Sequence, residues 1–212
     1  LDENGIFIVQ LMCLKAMAEK NDLGNICHEH IEFYSINSLK FLFEKNGLEI
    51  FKIEENDVNG GSYRIYCKKL ENGSIKLPNE NPLKLINGFI KRAKKNKKDI
   101  VKFINEEIRK NKKIYLYGAS TKGNTLLQYY KLNYKKIPFA AERSSHKYGK
   151  YTIGTGIKII SEEKARGLNP DYFFVTPWGF MKEIIKREKN WLKNGGKFIV
   201  PFPKFKIIKY HE

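Results

Sequence analysis

From residue 113 onward the chain alternates short strand-like runs with helical runs, and this alternation restricts the fold more than any other feature. Lys113 to Tyr117, Phe139 to Ala141, Ile157 to Ile160, Asp171 to Val175 and Lys197 to Pro201 read as strands. Ser120 to Leu132, Ser161 to Gly167 and Phe180 to Lys193 read as helices between them. Strands that follow one another through helices are joined by right-handed crossovers, so the pattern predicts a mostly parallel sheet covered by helices.

The first half reads differently. Gly5 to Leu11 is strand-like, and Leu14 to Lys20 is a brief helix. Asn25 to Phe33 is irregular. Ser35 or Asn37 caps a helix carrying Leu39, Leu42 and Phe43 on one face, and Asn46-Gly47 stops it. Leu48 to Glu54 and Tyr63 to Lys68 are strand-like, joined by a loop ending in Asn59-Gly60-Gly61-Ser62, and they predict a small antiparallel segment. Leu70 to Asn81 reads as a loop. Pro82 to about Asn111 reads as a long helix with Ile86, Phe89, Ile90, Ile100, Phe103, Ile104 and Ile108 along one stripe.

Charge bounds the partners. The chain of 212 residues carries 40 Lys plus Arg against 23 Asp plus Glu, a formal charge of +17. Such a surface attracts polyanions: nucleic acid, an acidic membrane or phosphorylated small molecules. The densest run, Lys91 to Lys98, reads as the solvated face of the long helix. No apolar run is long enough to cross a bilayer, and no membrane partner is expected. Cys13, Cys27 and Cys67 form no CxxC pair, which points to a reducing, cytoplasmic setting without a disulfide framework and to no structural metal. The first residues, Leu1 to Gly5, have neither a basic leader nor a cleavage site, and the absent initiator Met suggests a fragment or a processed chain.

Two segments carry candidate chemistry. Residues 112–130 read KKIYLYGASTKGNTLLQYY, a strand that runs into Gly118 and then a helix. A helix N-terminus at the carboxyl end of a parallel sheet offers free N–H groups and a positive dipole end to a phosphate. Gly118 lets the chain turn, and Ala119, Ser120 and Gly123 let a ligand approach. Ser120 and Thr121 offer hydroxyls, and Lys122 adds charge. The run matches neither GxGxxG nor a Walker A loop, and a merely tight turn is the plain alternative. Glu142 follows the next strand, where an acidic residue in doubly wound folds often bonds a ribose hydroxyl; a surface ion pair with Arg143 or a lysine is the alternative. The second segment is His28-Glu29-His30. A histidine held by a carboxylate is a common general base, whereas the bland reading is polar loop residues. The spacing is not HExxH, and no third zinc ligand is evident.

Several segments together resemble the sugar C-methyltransferases. They are His28-Glu29-His30, Phe33-Tyr34-Ser35, Ser38-Leu39, Asn46-Gly47-Leu48-Glu49 and Gly60-Gly61-Ser62 with Arg64. Later come Tyr117-Gly118-Ala119, Lys122-Gly123-Asn124-Thr125-Leu126-Leu127, Glu142-Arg143, Lys147, Gly149-Lys150-Tyr151, Pro177-Trp178 and Gly195-Gly196-Lys197-Phe198. The resemblance runs in order over almost the whole chain. It implies methylation, from S-adenosylmethionine, of a carbon next to the keto group of a nucleotide-linked deoxysugar. It places His30 as the base that removes the proton alpha to the ketone, with Glu29 orienting it. His28, Tyr34, Gly118, Ala119, Ser120, Lys122, Asn124, Glu142, Arg143 and Trp178 would hold the substrate. Cys27 stands where that family usually has Tyr, Ile153 where Pro is common and Gly179 where Asn is common.

The resemblance also implies an organisation. Residues 1–70 are expected to be the tail of a methyltransferase domain with a substrate-facing segment, residues 71–111 a linker and connecting helix, and residues 112–212 a Rossmann-like nucleotide-sugar-binding domain. The family's zinc module and Gly-rich S-adenosylmethionine motif are absent from this sequence. The chain alone is therefore expected not to methylate unless a separate N-terminal methyltransferase polypeptide joins it. The other readings are a non-catalytic nucleotide-sugar-binding module and, on charge alone, a nucleic-acid binder; no nucleic-acid motif supports the latter.

Overall fold

The computed structural model describes residues 1–210. The chain falls into two compact units, one of Leu1–Asp22 with Glu29–Lys91, the other of Leu23–His28 with Arg92–Glu212.

The first unit is built on a three-stranded antiparallel sheet. Its elements are β1 (Phe7–Met12), α1 (Leu14–Glu19), α2 (Ile36–Lys45), β2 (Leu48–Asn56) and β3 (Ser62–Lys69), with strand order β1-β3-β2. Ser35 is the cap of α2, its Oγ accepting from the Ser38 N–H at 3.2 Å, and Gly47 leaves the helix at a φ of +72°. Alternation puts Tyr63, Ile65 and Cys67 of β3 on one face, where Ile36, Leu39 and Phe43 of α2 and Ile50 of β2 cover them. Residues 70–81 are tied to this core rather than loose. The Ile75 N–H donates to the Ile50 carbonyl at 2.9 Å. The buried Glu80 carboxylate accepts from the Ile36 N–H at 2.9 Å and from the Tyr63 hydroxyl.

Glu49 holds the turn after β3. Its carboxylate accepts from the N–H groups of Glu71, Asn72 and Gly73 at 2.8, 2.8 and 2.7 Å. The Glu71 N–H is the leading cause that lowers its pKa; the Asn72 and Gly73 N–H groups and Lys68 act in the same direction against burial, and the value falls to about 2. A carboxylate whose folded pKa is depressed stabilises the fold above its unfolded pKa of about 4.3, and that contribution is lost as pH falls through the folded value. Urea midpoints followed by far-ultraviolet circular dichroism should fall between about pH 4.5 and pH 2, and Glu49→Gln should flatten that fall. An unchanged slope in the variant would remove Glu49 as its source.

The second unit carries the parallel sheet. It holds the greater part of α3 (Pro82–Arg109), then β4 (Ile114–Tyr117), α4 (Thr121–Tyr130), β5 (Phe139–Glu142), β6 (Lys158–Ser161), α5 (Glu162–Gly167), β7 (Tyr172–Val175), α6 (Met181–Arg187), α7 (Lys189–Lys193), β8 (Lys197–Val200) and β9 (Lys206–Ile208). The strand order is β6-β5-β4-β7-β8-β9, parallel throughout except for the antiparallel β9. This is the doubly wound order, with the strand sequence reversing between β4 and β7. Both faces are covered. Tyr115, Tyr117, Phe173, Val175, Phe198 and Val200 share one face with Ala165, Ile184 and Leu192 of α5, α6 and α7. On the other, Phe103 of α3 stands edge-on to Tyr172 with ring centroids 5.5 Å apart, and Asn96 Nδ2 donates to the Pro201 carbonyl at 2.7 Å.

Three expectations need correction. Phe180 to Lys193 is not one helix: a 3-10 turn, Trp178–Phe180, precedes α6, and the chain breaks at Glu188 before α7. Glu188 is drawn into the core by Tyr117 and Arg166, which outweighs the helical propensity of its neighbours. β9 was not expected, because Ile207 and Ile208 between Lys206 and Lys209 are too short a run to give a periodic signal. On α3, Ile90 is 43 % exposed, and the buried line runs instead through Phe89, Ala93, Asn96, Ile100, Ile104 and Glu107. The two polar members of that line are satisfied by Pro201 and by Tyr172, whose hydroxyl donates to Glu107 at 2.7 Å.

Candidate functional site

The crevice of a doubly wound sheet lies outside the carboxyl ends of the strands, where the order reverses. Here that point brings together the turn after β4 and the loop after β7. Gly118 takes a φ of +86°, and a Cβ there would stand 2.8 Å from Pro177 Cδ. Gly123 is as constrained, since a Cβ would lie 2.8 Å from Thr176 Oγ1. The Thr176 hydroxyl donates to the Gly118 carbonyl at 2.8 Å. The two glycines therefore leave room for Thr176 and Pro177. Thr176 is a site-shaping residue with no signal in the sequence.

What faces outward is the tip. Ala119 and Ser120 are half-buried, and Ser120 caps α4 by accepting from the Gly123 N–H at 3.1 Å. Lys122 lies half-buried in the first turn. Asn124 follows, its Oδ1 buried without a hydrogen-bond partner.

Glu142, at the end of β5, closes the turn from the side. Its Oε2 accepts from the Ala119 N–H at 3.0 Å, and its Oε1 from Arg143 and Ser144 N–H at 2.9 and 3.1 Å. Lys147 Nζ donates to the Ala119 carbonyl at 2.9 Å and reaches Glu142 Oε2 at 3.4 Å. Burial pushes the Glu142 carboxyl up. The Ser144 and Ala119 N–H groups, the Lys147 ammonium and the Arg143 N–H outweigh that and hold it below the usual carboxylate range. The Arg143 side chain is exposed. Trp178 is half-buried, its ring 6.4 Å from that of Phe202. The structure thus gathers Gly118, Ala119, Ser120, Lys122, Asn124, Glu142, Arg143 and Trp178 at one end of one sheet.

The His-Glu-His segment is described by itself. His28 and Glu29 are exposed, and His30 is half-buried with its ring edge-on to Phe33 at 6.4 Å. The Tyr34 hydroxyl donates to the Glu32 carboxylate. Among the described residues no three His, Cys, Asp or Glu are grouped to hold a metal ion, and no helix is long and apolar enough to cross a membrane.

Sequence comparison places this geometry. The family model for the C-methyltransferase C-terminal domain matches residues 57–203. The C-methyltransferase NovU of Streptomyces niveus is 33 % identical over 220 aligned residues, covering 98 % of this chain and 52 % of that protein. The chain thus spans about half the length of that relative. With the family model matched over well more than half of its residues, the chain belongs to the C-methyltransferase family and carries its C-terminal domain.

Proposed function

We propose that this chain is the substrate-holding part of a C-methyltransferase that acts on a nucleotide-linked keto-deoxysugar. The observation that carries the reading is the turn at Gly118–Ser120 at the reversal point of the sheet, with Lys122, Arg143 and Lys147 beside it. A nucleoside diphosphate puts negative charge where the N-terminus of α4 follows this turn and ammonium side chains stand beside it. His30 is the base that takes the proton alpha to the ketone, with Glu29 beside it in sequence.

The methyl donor in this family reading is S-adenosylmethionine. The Gly-rich motif that the family uses for this donor is not found in the sequence. We propose that the donor site lies outside these residues and that the isolated chain does not methylate.

Calorimetric titration of the chain with nucleoside diphosphates and a nucleotide sugar tests the reading. Saturable binding with a base preference is expected, and Lys122→Ala should weaken it about tenfold, the value of one charge-assisted contact. Binding that ignores the base and falls steeply with salt would instead mark a general polyanion surface.

A further inference from the structure

Doubly wound nucleotide sites place an acidic residue after the second strand of the unit to receive the ribose 2′-hydroxyl. Glu142 occupies that place, at the end of β5, but its acceptor capacity is already used. An ionised carboxylate has about four lone-pair positions. Oε1 accepts from Arg143 N–H at 2.9 Å and Ser144 N–H at 3.1 Å. Oε2 accepts from Ala119 N–H at 3.0 Å and Lys147 Nζ at 3.4 Å. A ribose hydroxyl would have to displace one of these donors, and three of them are backbone groups that would then need a new partner.

The same contacts give Lys147 a defined position. An ammonium has about three donors. Within its loop Lys147 spends one on the Ala119 carbonyl at 2.9 Å and one on Glu142. The side chain remains 43 % exposed, so the charge stays open to solvent beside the turn. A lysine tethered by a carbonyl and a carboxylate has lost the rotamer freedom that an ordinary surface lysine must give up on binding an anion.

We infer that Lys147 contacts the phosphate of the ligand and that Glu142 is its positioning residue rather than a ribose ligand. This rests on the nucleotide reading above and names the groups that would recognise the diphosphate. All of them belong to the second unit: the Ala119 turn, the loop of residues 143–147 and the end of β5.

The test titrates the full chain with inorganic pyrophosphate, UDP and 2′-deoxy-UDP by calorimetry, with melting temperatures recorded for each variant. The wild type should bind all three, with the two nucleotides within about twofold of each other, since no acceptor is left for the 2′-hydroxyl. Lys147→Met should weaken all three about tenfold at an unchanged melting temperature. Glu142→Gln, which keeps the shape and removes the charge, should weaken pyrophosphate severalfold without moving the ratio of the two nucleotides. A purely structural glutamate would leave pyrophosphate affinity alone in a folded variant, and that result overturns the inference. So does a strong preference for UDP over 2′-deoxy-UDP that Glu142→Gln abolishes; the nucleotide reading would then stand with Glu142 as ribose ligand. Nucleotide binding untouched by Lys147→Met removes Lys147 from the site. No binding of any of the three ligands by the wild type sinks the nucleotide reading and this inference together.

Discussion

Glu188→Ala should destabilise the second unit by about 3 kcal/mol, because it opens a buried charged network from its centre. Glu188 is 1 % exposed. Its Oε1 accepts from the Tyr117 hydroxyl at 2.9 Å and from Arg166 Nη1 at 2.8 Å. Arg187 Nη2 donates to the Tyr117 hydroxyl at 2.8 Å and to Glu162 at 3.1 Å. Alanine would leave the Tyr117 hydroxyl without its acceptor, Arg166 without its buried partner, and a cavity at the junction of α6 and α7. The arginines are each about a third exposed and can turn to water, which keeps the loss below that of a fully buried pair. Glu188→Gln should cost much less, about 1 kcal/mol, because the amide oxygen still accepts from both donors and the second oxygen of Glu188 has no partner to lose. The chain has two tryptophans, Trp178 and Trp191, both in the second unit, so their fluorescence in a urea titration reports this unit selectively. Equal midpoints for the alanine and glutamine variants would mean that the shape and acceptor oxygen kept by glutamine contribute nothing, and that the charge carries the whole effect.

The second large effect concerns His30. A base that forms an enolate from a keto sugar does so whether or not a methyl donor is bound, so its work can be read by isotope exchange. In D2O, the chain should exchange the proton alpha to the ketone of a nucleotide-linked keto-deoxysugar, and proton NMR should show that signal fading. His30→Gln should slow the exchange by about 10²–10⁴-fold, the range for a single positioned general base, with nucleotide-sugar affinity kept. The His30 ring is half-buried and edge-on to Phe33 whereas His28 is exposed, so His28→Gln should slow the exchange far less than His30→Gln. Exchange that survives in the His30 variant would move the base elsewhere, and exchange no faster than in buffer with the wild type would take it off this chain.

Much of the fold was legible in the residues. Local signals sufficed wherever an element is defined by its own pattern: Ser35, one of two candidates, as a cap, Gly47 as a helix stop, the β4 run into Gly118, and the alternation that gives a parallel sheet. The antiparallel segment of the first half followed from two strand-like runs joined by a Gly-rich turn. The site was legible as a set of residue types and less so as geometry. The sequence located the Gly118 turn and Glu142, but said nothing of which atoms they meet.

What only the tertiary structure decided are the places where a distant partner overrides local preference. The helix expected over residues 180–193 breaks because Glu188 is taken by Tyr117 and Arg166, residues far from it in the chain. β9 forms because β8 offers it an edge, not because Lys206–Ile208 has strand character of its own. Gly123 is small for Thr176, and Glu142 is held by Ala119 and Lys147. Hydrogen-bond capacity and close contact are properties of neighbours in space. Periodicity and capping are properties of neighbours in sequence, so the chain alone determined most of its elements and its family, while the packed structure decided the break at Glu188, the β9 edge and how each candidate residue is spent.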